Sequence, residues 1–348
     1  MMPLRTWLAL LLAPLLALAG CAKPLPAGVT ELTYASPYPP SHPFSRADRV
    51  WMDHVAQQSN GRLRIRPVWS GALMSADMSM EELRHGVADI ALISPIYSRG
   101  GTHLLRTQTG FYKGAQSIES QMALYHCLAR SEPEIGRELH GLKVLAAQGG
   151  LLPGIMIRGR AVRSLDDLRG LRIRAPTELL SVLGSFGADP VLMPMGEVYS
   201  QLAKGVLDGV VSSPDSYKAL HLSEVTDYYF ALEIPRGAYP ARAMGDDRWH
   251  RLEPWQRDIL AASTPVWERA IADAIYTSLE AGLEDSRGKV QVFQPSAADQ
   301  QRFEDVYQRD NLRTARDARR WGIDGEAVFR RAQASLPGDD RVVCGGAA

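Results

Sequence analysis

Apolar and polar positions in the first third of the chain follow two alternating spacings. Residues 29–35 and 63–65 alternate apolar and polar side chains, which is typical of half-buried strands, while residues 47–55 repeat apolar side chains along one helix face. A helical stretch over 81–86 then leads to the short apolar run 90–94. The order strand, helix, strand, helix, strand predicts a mostly parallel sheet with right-handed crossovers.

The same alternation of strands and helices returns after a glycine-rich interruption. Residues 142–147 and 155–157 are predicted strands, and the segment 148–154 between them contains three glycines and a proline. Such a segment cannot continue a strand, so we expect it to carry the polypeptide from a first lobe to a second.

The last third of the chain is mostly helical in pattern. Residues 252–286 form one long helical pattern that is interrupted only near Thr264 and Pro265, and such a helix would be long enough to span both lobes. A strand over 290–293 and a charged helical region over 297–334 follow.

The length of the chain favours two lobes, because 348 residues exceed what one hydrophobic core organises. We predict an α/β protein of the two-lobed periplasmic-binding-protein architecture, with mostly parallel sheets flanked by helices. The predicted first lobe combines residues 29–148 and 236–280, the second combines 149–235 and 281–335, and residues 336–348 form a tail.

One short motif occurs twice at identical internal spacing. In each copy a helix ends at glycine, and a buried strand then delivers a Ser-Pro pair to its carboxyl end. Chance recurrence among common turn residues is the alternative to a building block used twice. The two copies are Gly86-Val87-x-Asp89 with Ser94-Pro95, and Gly205-Val206-x-Asp208 with Ser213-Pro214.

The carboxyl ends of strands are where open α/β sheets bind ligands. Polar and aromatic residues that follow predicted strands, or lie in the crossover, are therefore candidates for the wall of a cleft between the lobes. Each is a weak candidate alone, because tyrosine often only packs and serine before proline is often only a turn. These candidates are Tyr38, Ser94, Tyr97, Gln148, Ser213, Asp215 and Tyr217.

Arg174 is the candidate for anion binding. It lies where a predicted strand runs into Pro176, and a guanidinium at that edge can hold a carboxylate through two parallel hydrogen bonds. A surface arginine paired with a nearby acid is the alternative that the position alone leaves open.

Composition and motifs exclude several functions. The 39 basic and 39 acidic residues balance and form no basic block, so nucleic acid is not an expected partner. Phosphate-binding loops, dinucleotide-binding glycine motifs, zinc-protease motifs and nucleophile elbows are missing from the sequence. We therefore expect no catalytic residues, no metal and no cofactor.

The amino terminus is typical of a bacterial lipoprotein. Arg5 precedes an apolar stretch, 8–18, that is too short to cross a bilayer, and Leu18-Ala19-Gly20 stands before Cys21 like a lipobox. We expect residues 1–21 to be a signal peptide ending at a Cys21 that carries acyl chains such as palmitate, and 22–28 to be a tether. An ordinary secretion signal is the alternative.

Two further cysteines leave their redox state open. Cys127 lies on a predicted helix and Cys344 lies in the tail. An oxidising compartment permits them to pair, while a free buried thiol and a disordered tail are equally compatible with the sequence.

Longer motifs resemble the solute-binding subunit of the tripartite ATP-independent periplasmic (TRAP) transporters. The resemblance extends over about residues 29–320 and includes His42-Pro43, Gly61-Arg62 and the first copy of the repeated motif. Its central block comprises Asp167-Leu168-x-Gly170-Leu171-x-Ile173-Arg174-x-Pro176, Phe186-Gly187-Ala188-Asp189-Pro190-Val191-Leu192-Met193-Pro194, Glu197-Val198-Tyr199 and Gly205-Val206-x-Asp208-Gly209.

That resemblance implies two lobes that close on an organic acid, a long helix across both, and delivery to membrane permease subunits driven by an ion gradient. It also implies that Arg174 clamps the carboxylate. Many family members carry a second arginine where this chain has Pro153-Gly154, and an acid where it has Val211-Ser212. The first departure argues against a dicarboxylate or a sialic acid, and the second removes a side chain that helps some relatives hold a metal.

The sequence therefore predicts a membrane-anchored, extracytoplasmic protein that binds a small organic acid, expected to be a monocarboxylate. Closure is expected to involve hinges near 148–154 and 233–237. A ligand-sensing periplasmic module that presents its closed form to a membrane receptor is the alternative function.

Overall fold

The computed structural model describes residues 25–98 and 100–345, so the lipid-attachment site expected at Cys21 lies outside the described residues. The first half of the sequence alternates strands and helices in the predicted order. Its elements are β1 (Thr30–Ala35), α1 (Pro43–Gln58), β2 (Leu63–Val68), α2 (Ser79–Arg84), β3 (Ile90–Leu92), α3 (His103–Thr107), α4 (Ile118–Ser131), α5 (Pro133–Glu138) and β4 (Leu142–Gln148).

The second half begins with a further set of short strands and ends in long helices. Its elements are β5 (Gly154–Ile157), β6 (Arg172–Arg174), α6 (Leu180–Ser185), β7 (Asp189–Val191), α7 (Met195–Ala203), β8 (Gly209–Ser212), α8 (Ser216–Ala219), β9 (Tyr228–Phe230), β10 (Tyr239–Gly245), α9 (Asp246–His250), α10 (Pro254–Ala262), α11 (Thr264–Ser286), β11 (Gln291–Phe293), α12 (Ala297–Asp317) and α13 (Gly325–Ala334).

Two separate sheets confirm the predicted two-lobed α/β architecture. The first has the strand order β2-β1-β3-β10-β4, and the second has the order β11-β9-β5-β8-β6-β7. All strands of the first sheet run the same way except β10, and all strands of the second except β5. Each sheet is therefore mostly parallel. In each sheet the single antiparallel strand, β10 or β5, follows directly in the sequence on a strand of the other sheet.

The repeated motif has the same local structure in both lobes. Gly86 and Gly205 both adopt the left-handed conformation, with φ of 74° and 70°, and end the preceding helical turns. Asp89 accepts a hydrogen bond from the backbone N–H of Thr33 at 2.7 Å, and Asp208 accepts one from that of Arg172 at 2.7 Å. In both lobes the aspartate thus ties its strand to the neighbouring parallel strand.

The polypeptide crosses between the lobes in four places within the described residues, and the last of these is α12, which starts in the core of the second sheet and ends in the core of the first. Residues 149–153 connect β4 with β5, as the glycine-rich stretch predicts, and residues 231–238 connect β9 with β10. The third crossing is α11. Thr264 at its start donates a hydrogen bond to the Leu145 carbonyl of the first lobe, and Asp285 near its end accepts one from Ser223 of the second.

The long helical pattern over 252–286 is divided into α10 and α11. The division falls at Ser263, beside the predicted interruption, because Pro265 has no N–H with which to continue the helix from α10. The spanning helix is thus the 23-residue α11 rather than the whole predicted stretch.

The C-terminal helices pack differently from the expectation that 281–335 would belong to the second lobe. Phe303 and Tyr307 on α12 lie in the core of the second sheet, whereas Ala315, Val328 and Phe329 lie in the core of the first. The sequence pattern marks an apolar helix face but does not identify the sheet that the face covers.

The expected tail is attached to the first lobe. Cys344 forms a disulfide with Cys127 on α4, which resolves the alternatives that the sequence left open. Asp340 also accepts hydrogen bonds from the backbone N–H groups of Gln116 and Ser117, just before α4 begins. Residues 336–345 are therefore part of the folded lobe.

Within the described ranges 25–98 and 100–345, none of the helices combines the length and the apolar character that crossing a bilayer requires.

Candidate functional site

A cleft lies between the lobes, at the carboxyl ends of strands from both sheets, and encloses about 130 Å³. Four segments that follow strand ends converge there, because parallel strands present their carboxyl ends at one edge of a sheet. Six of the eight predicted wall residues line this cleft: Tyr38, Ser94 and Tyr97 from the first lobe, and Arg174, Ser213 and Asp215 from the second.

Arg174 is the last residue of β6, and its guanidinium is buried in the cleft wall with 4% of the residue exposed. Its Nε donates to the Met193 carbonyl at 3.0 Å, and one Nη donates to the Tyr97 hydroxyl at 2.7 Å across the cleft. A guanidinium has five N–H donors, so three remain. Arg174 forms no ion pair with any described residue, although Glu178 is near enough for the Arg174 charge to act against the increase of its pKa.

Arg242 shows what a structural arginine looks like in the same protein. It is equally buried, but its Nε donates to Asp48 at 2.7 Å, and Asp48 also accepts hydrogen bonds from Tyr34 and Trp267. The Arg242 charge is therefore satisfied inside the first lobe. Arg174 forms no such ion pair among the described residues, so its remaining N–H groups are available to a ligand.

Gln148 and Tyr217 are predicted wall residues that do not line the cleft. Gln148 is fully buried at the end of β4, where its side chain donates to the Tyr239 hydroxyl at 3.1 Å. Gln148 therefore positions the wall residue Tyr239 without lining the cleft itself. Tyr217 points into the small core on the other face of the second sheet, beside Val198 and Leu202.

Seven polar wall residues were not predicted from the sequence: His42, Thr109, Glu178, Ser212, Ser216, Arg236 and Tyr239. Arg236 and Tyr239 come from the crossover 231–238 and the start of β10, and Thr109 and Glu178 come from short helical turns. Thr109, Arg236 and Tyr239 do not follow the carboxyl end of a predicted strand, so the sheet-edge argument could not select them, whereas Glu178 follows the strand that ends before Pro176 and could have been selected. The only signal for Arg236 in the sequence was the paired glycine at 149 and 150, which indicates that another group approaches the backbone closely.

An aromatic cluster forms part of the first-lobe wall. The rings of Tyr38 and His42 stack with centroids 4.1 Å apart, and Phe44 meets both rings edge-on. Burial, together with Arg46 and Arg242, lowers the pKa of His42 to about 3, so its imidazole is neutral at physiological pH. Its Nδ1 accepts from the Phe44 N–H and caps α1, which gives the His42-Pro43 motif a structural role.

Two carboxyl groups share the wall with the arginines. Burial raises the pKa of Glu178, although its own backbone N–H, the Thr109 hydroxyl, Arg174 and Arg236 act in the opposite direction. Burial also raises the pKa of Asp215, against the Ser213 hydroxyl and Arg236. The acids and the guanidinium groups therefore influence one another within one small space.

The rest of the wall is apolar, with Phe44, Ile96, Leu179, Met195, Val211 and Leu220 among the lining residues. Within the described residues, His, Cys, Asp and Glu side chains form no group of three or more that could hold a metal ion. The arrangement suits recognition of a small anion with an apolar body: a deep cation orients one end, and apolar side chains surround the other.

The two-sheet fold with a ligand-sized interlobe cleft defines a two-lobed binding protein. Residues 34–316 match the family model described as bacterial extracellular solute-binding protein, family 7. This match covers most of the sequence, so the protein belongs to that family, which supplies the solute-binding subunits of TRAP transporters. The family consists of extracytoplasmic solute-binding transport proteins.

Individual relatives agree with this assignment. A solute-binding protein from Chromohalobacter salexigens is 23% identical over 289 residues, covering 78% of this chain and 81% of the relative. The structure is similar to a TRAP periplasmic solute-binding protein from Desulfovibrio salexigens, with TM-score 0.72, 26% identity, and coverage of 88% and 95%. It is also similar to one from Bordetella bronchiseptica, with TM-score 0.79, 20% identity, and coverage of 88% and 98%.

Proposed function

We propose that this protein captures a small organic acid, a monocarboxylate, in the interlobe cleft, with Arg174 as the group that holds the carboxylate. The observation that carries the proposal is a guanidinium that is buried, oriented by two hydrogen bonds and without an ion pair among the described residues. Buried N–H donors without an acceptor are costly, and a ligand carboxylate on the free N–H groups would remove that cost.

The contact between Arg174 and Tyr97 links ligand binding to closure of the lobes. Arg174 belongs to the second lobe and Tyr97 to the first, so their hydrogen bond exists only when the lobes are close together. Thr177 donates to the Ile96 carbonyl at 3.3 Å in the same region. A ligand that fixes Arg174 in place therefore favours the closed state, with bending at 148–154 and 233–237.

The wall composition favours a monocarboxylate over a dicarboxylate. Glu178 and Asp215 already bring two acidic groups to the cleft, so each further negative charge must be accommodated beside them. The ligands bound in related structures also support an organic acid as the ligand. The Bordetella bronchiseptica protein was solved with bound mandelate, and the Desulfovibrio salexigens protein holds the C-terminus of a symmetry mate in its ligand-binding site.

A panel of organic acids, tested against the amides of the same acids, would test the proposal. Ligands that bind only the native state raise its thermal stability by mass action, so at least one acid should raise the melting temperature while its amide does not. Native mass spectrometry of freshly purified protein would show whether an acid is already bound. Stabilisation by neutral sugars or amides, with none by acids, would refute the proposed ligand class.

We further propose that Cys21 carries the lipid anchor and that the closed protein delivers its solute to TRAP membrane permease subunits. The Leu-Ala-Gly-Cys sequence supports the first point, and family membership supports the second. Cells fed labelled palmitate should label the wild-type protein in the membrane fraction, whereas Cys21→Ser should leave an unlabelled protein. Equal labelling of both would exclude Cys21 as the attachment site.

A further inference from the structure

Arg236 is a second cation in the cleft, and it comes from neither lobe's sheet. It lies in the crossover 231–238, half-buried, and its guanidinium rests on the backbone of Gly150 in the other crossover. A side chain at position 150 would collide with that guanidinium, so glycine there leaves the space for it. Arg236 forms no hydrogen bond or ion pair with any residue in 25–98 or 100–345.

Arg236 lies close to the same groups as Arg174. Both guanidinium groups are near enough to Tyr38, Tyr239 and Glu178 to act against the increase of their pKa values. Arg236 alone acts in the same way on Asp215. The two guanidinium groups and the two carboxyl groups all line the same cleft, so a ligand held by Arg174 lies among Arg236 and the two carboxyl groups.

The balance of charge decides what those adjoining atoms are. Two guanidinium groups already face two carboxyl groups, so each negative charge on the ligand adds to the two acids, and a dianion adds one more such charge than a monocarboxylate, in surroundings where uncompensated charge is expensive. A plain monocarboxylate without another polar atom would leave Arg236 unsatisfied. A neutral group that both accepts and donates hydrogen bonds could accept one from Arg236 and donate one to an acid. A hydroxyl can do both, because it has one O–H donor and two lone pairs.

The volume of the cleft limits the size of the whole ligand. About 130 Å³, walled by side chains such as Phe44, Leu179 and Val211, is comparable with a cavity of about 150 Å³ that holds one benzene ring. The carboxylate and its neighbouring group share this volume with the ligand body, so the body is compact and apolar, no larger than a short alkyl group or a single ring.

We propose that Arg236, Asp215 and Glu178 form a subsite that recognises a hydroxyl next to the bound carboxylate, so that the solute is a compact 2-hydroxy monocarboxylate. The Arg236 guanidinium donates to the hydroxyl oxygen, and the hydroxyl donates to one of the two acids. This inference rests on the proposed function, since it requires the carboxylate to lie on Arg174.

Calorimetry with matched acids tests the subsite. Mandelate, phenylglyoxylate, phenylacetate and phenylmalonate share one ring and differ only in the group next to the carboxylate. Lactate, pyruvate, propionate and methylmalonate repeat the comparison with a smaller body. In at least one series the hydroxy acid should bind at least about tenfold more tightly than each of the other three, because a site that bonds a hydroxyl leaves its own groups unpaired without it.

Variants then assign the selectivity to Arg236. Arg236→Met keeps an apolar stem and should reduce the preference for the hydroxy acid to within about threefold of the unsubstituted acid. Gly150→Ala retains the arginine but displaces it, and should lower the same ratio. Circular dichroism and thermal unfolding would confirm that both variants fold.

Each contrary result has a separate meaning. Equal binding of hydroxy and oxo acids, a preference for the dicarboxylate, or equal loss of all acids in Arg236→Met would overturn the subsite. Identification of a natural solute without a hydroxyl next to its carboxylate would do the same and leave the proposed function standing. If no organic acid binds at all, the proposed function itself fails.

Discussion

The two copies of the repeated motif begin alike and end differently. Asp89 and Asp208 make the same strand-to-strand hydrogen bond, and Ser94 and Ser213 both reach the cleft. After the Ser-Pro pair the first copy forms a 3₁₀ turn, Pro95–Tyr97, whereas the second leads into α8. The shared part builds the scaffold, and the divergent part decides which side chains face the solute.

Spacing within the turn explains the difference between the two tyrosines. Tyr97 stands three residues after its serine, and three residues per turn place it on the same side as that serine. Tyr217 stands four residues after Ser213, and the cleft-facing residue three positions on is Ser216. Equivalent motifs therefore deliver a tyrosine to the cleft in one lobe and to a hydrophobic core in the other.

The largest effects are expected from the two aspartates. Asp89→Ala should lower the free energy of unfolding by about 3 kcal/mol, because it leaves the Thr33 N–H unpaired and removes the 2.6 Å ion pair with Arg248. Asp208→Ala loses the hydrogen bond alone and should cost about 1–2 kcal/mol. Urea unfolding measures both.

Asparagine variants separate the two contributions. Asparagine keeps an acceptor for the strand N–H, so Asp208→Asn should be close to wild type, while Asp89→Asn should still lose the ion pair. Equal stability of all four variants would contradict both the contribution of the shared hydrogen bond and that of the additional Asp89 ion pair.

The tyrosine pair should separate binding from folding. Tyr97→Phe removes the hydroxyl that accepts from Arg174 and should weaken acid binding about tenfold, because hydrogen bonds to charged groups contribute about 1.5–3 kcal/mol. The Tyr217 hydroxyl is buried without a partner in the described part of the protein, so Tyr217→Phe should leave binding unchanged and stability equal or slightly higher. Calorimetry and thermal unfolding of both variants test the contrast.

The glycine pair should behave alike in both lobes. Alanine at position 86 or 205 must adopt positive φ, which costs about 1 kcal/mol. The added methyl group meets nothing at position 86 and only the mobile end of Arg158 at position 205. Losses that differ by more than about 1 kcal/mol would mean that the two turns are not equivalent.

The serine pair should differ in the pH dependence of stability. Ser213 donates to Asp215, whereas no carboxylate within 25–98 or 100–345 accepts from Ser94. Asp215 faces the charged Arg236 and the titratable Tyr229. Burial already raises the Asp215 pKa above its unfolded value, so its ionisation opposes folding increasingly as pH rises through the folded pKa.

Ser213→Ala should raise the Asp215 pKa further. The variant should therefore be less stable than wild type at pH 7, and the difference should vanish below about pH 3.9, where the carboxyl is protonated in both states. Ser94→Ala should show no such pH dependence. A pH-independent loss in Ser213→Ala would remove Asp215 from the explanation.

Local patterns in the sequence predicted most of the scaffold and the position of Arg174. Alternating apolar residues, the repeated glycine and aspartate, and the strand that ends before Pro176 all describe short-range structure. Arg236 lies between Pro235 and Gly237 in a segment without periodicity, and its role depends on the packing of two crossovers. Likewise, α12 and α13 have clear apolar faces, but only the tertiary structure shows that these faces cover different sheets.

Calorimetry on Arg174→Gln and Arg172→Gln, using the acid identified by the panel, tests the central claim most directly. Arg172 belongs to the same strand but its side chain is 51% exposed, so it is a matched control. We expect Arg174→Gln to lose about a hundredfold in affinity or more, because it removes one member of a buried charge pair, and Arg172→Gln to bind as wild type does. Unchanged affinity in Arg174→Gln, or equal loss in both variants, would contradict the assignment of Arg174 as the carboxylate-binding residue.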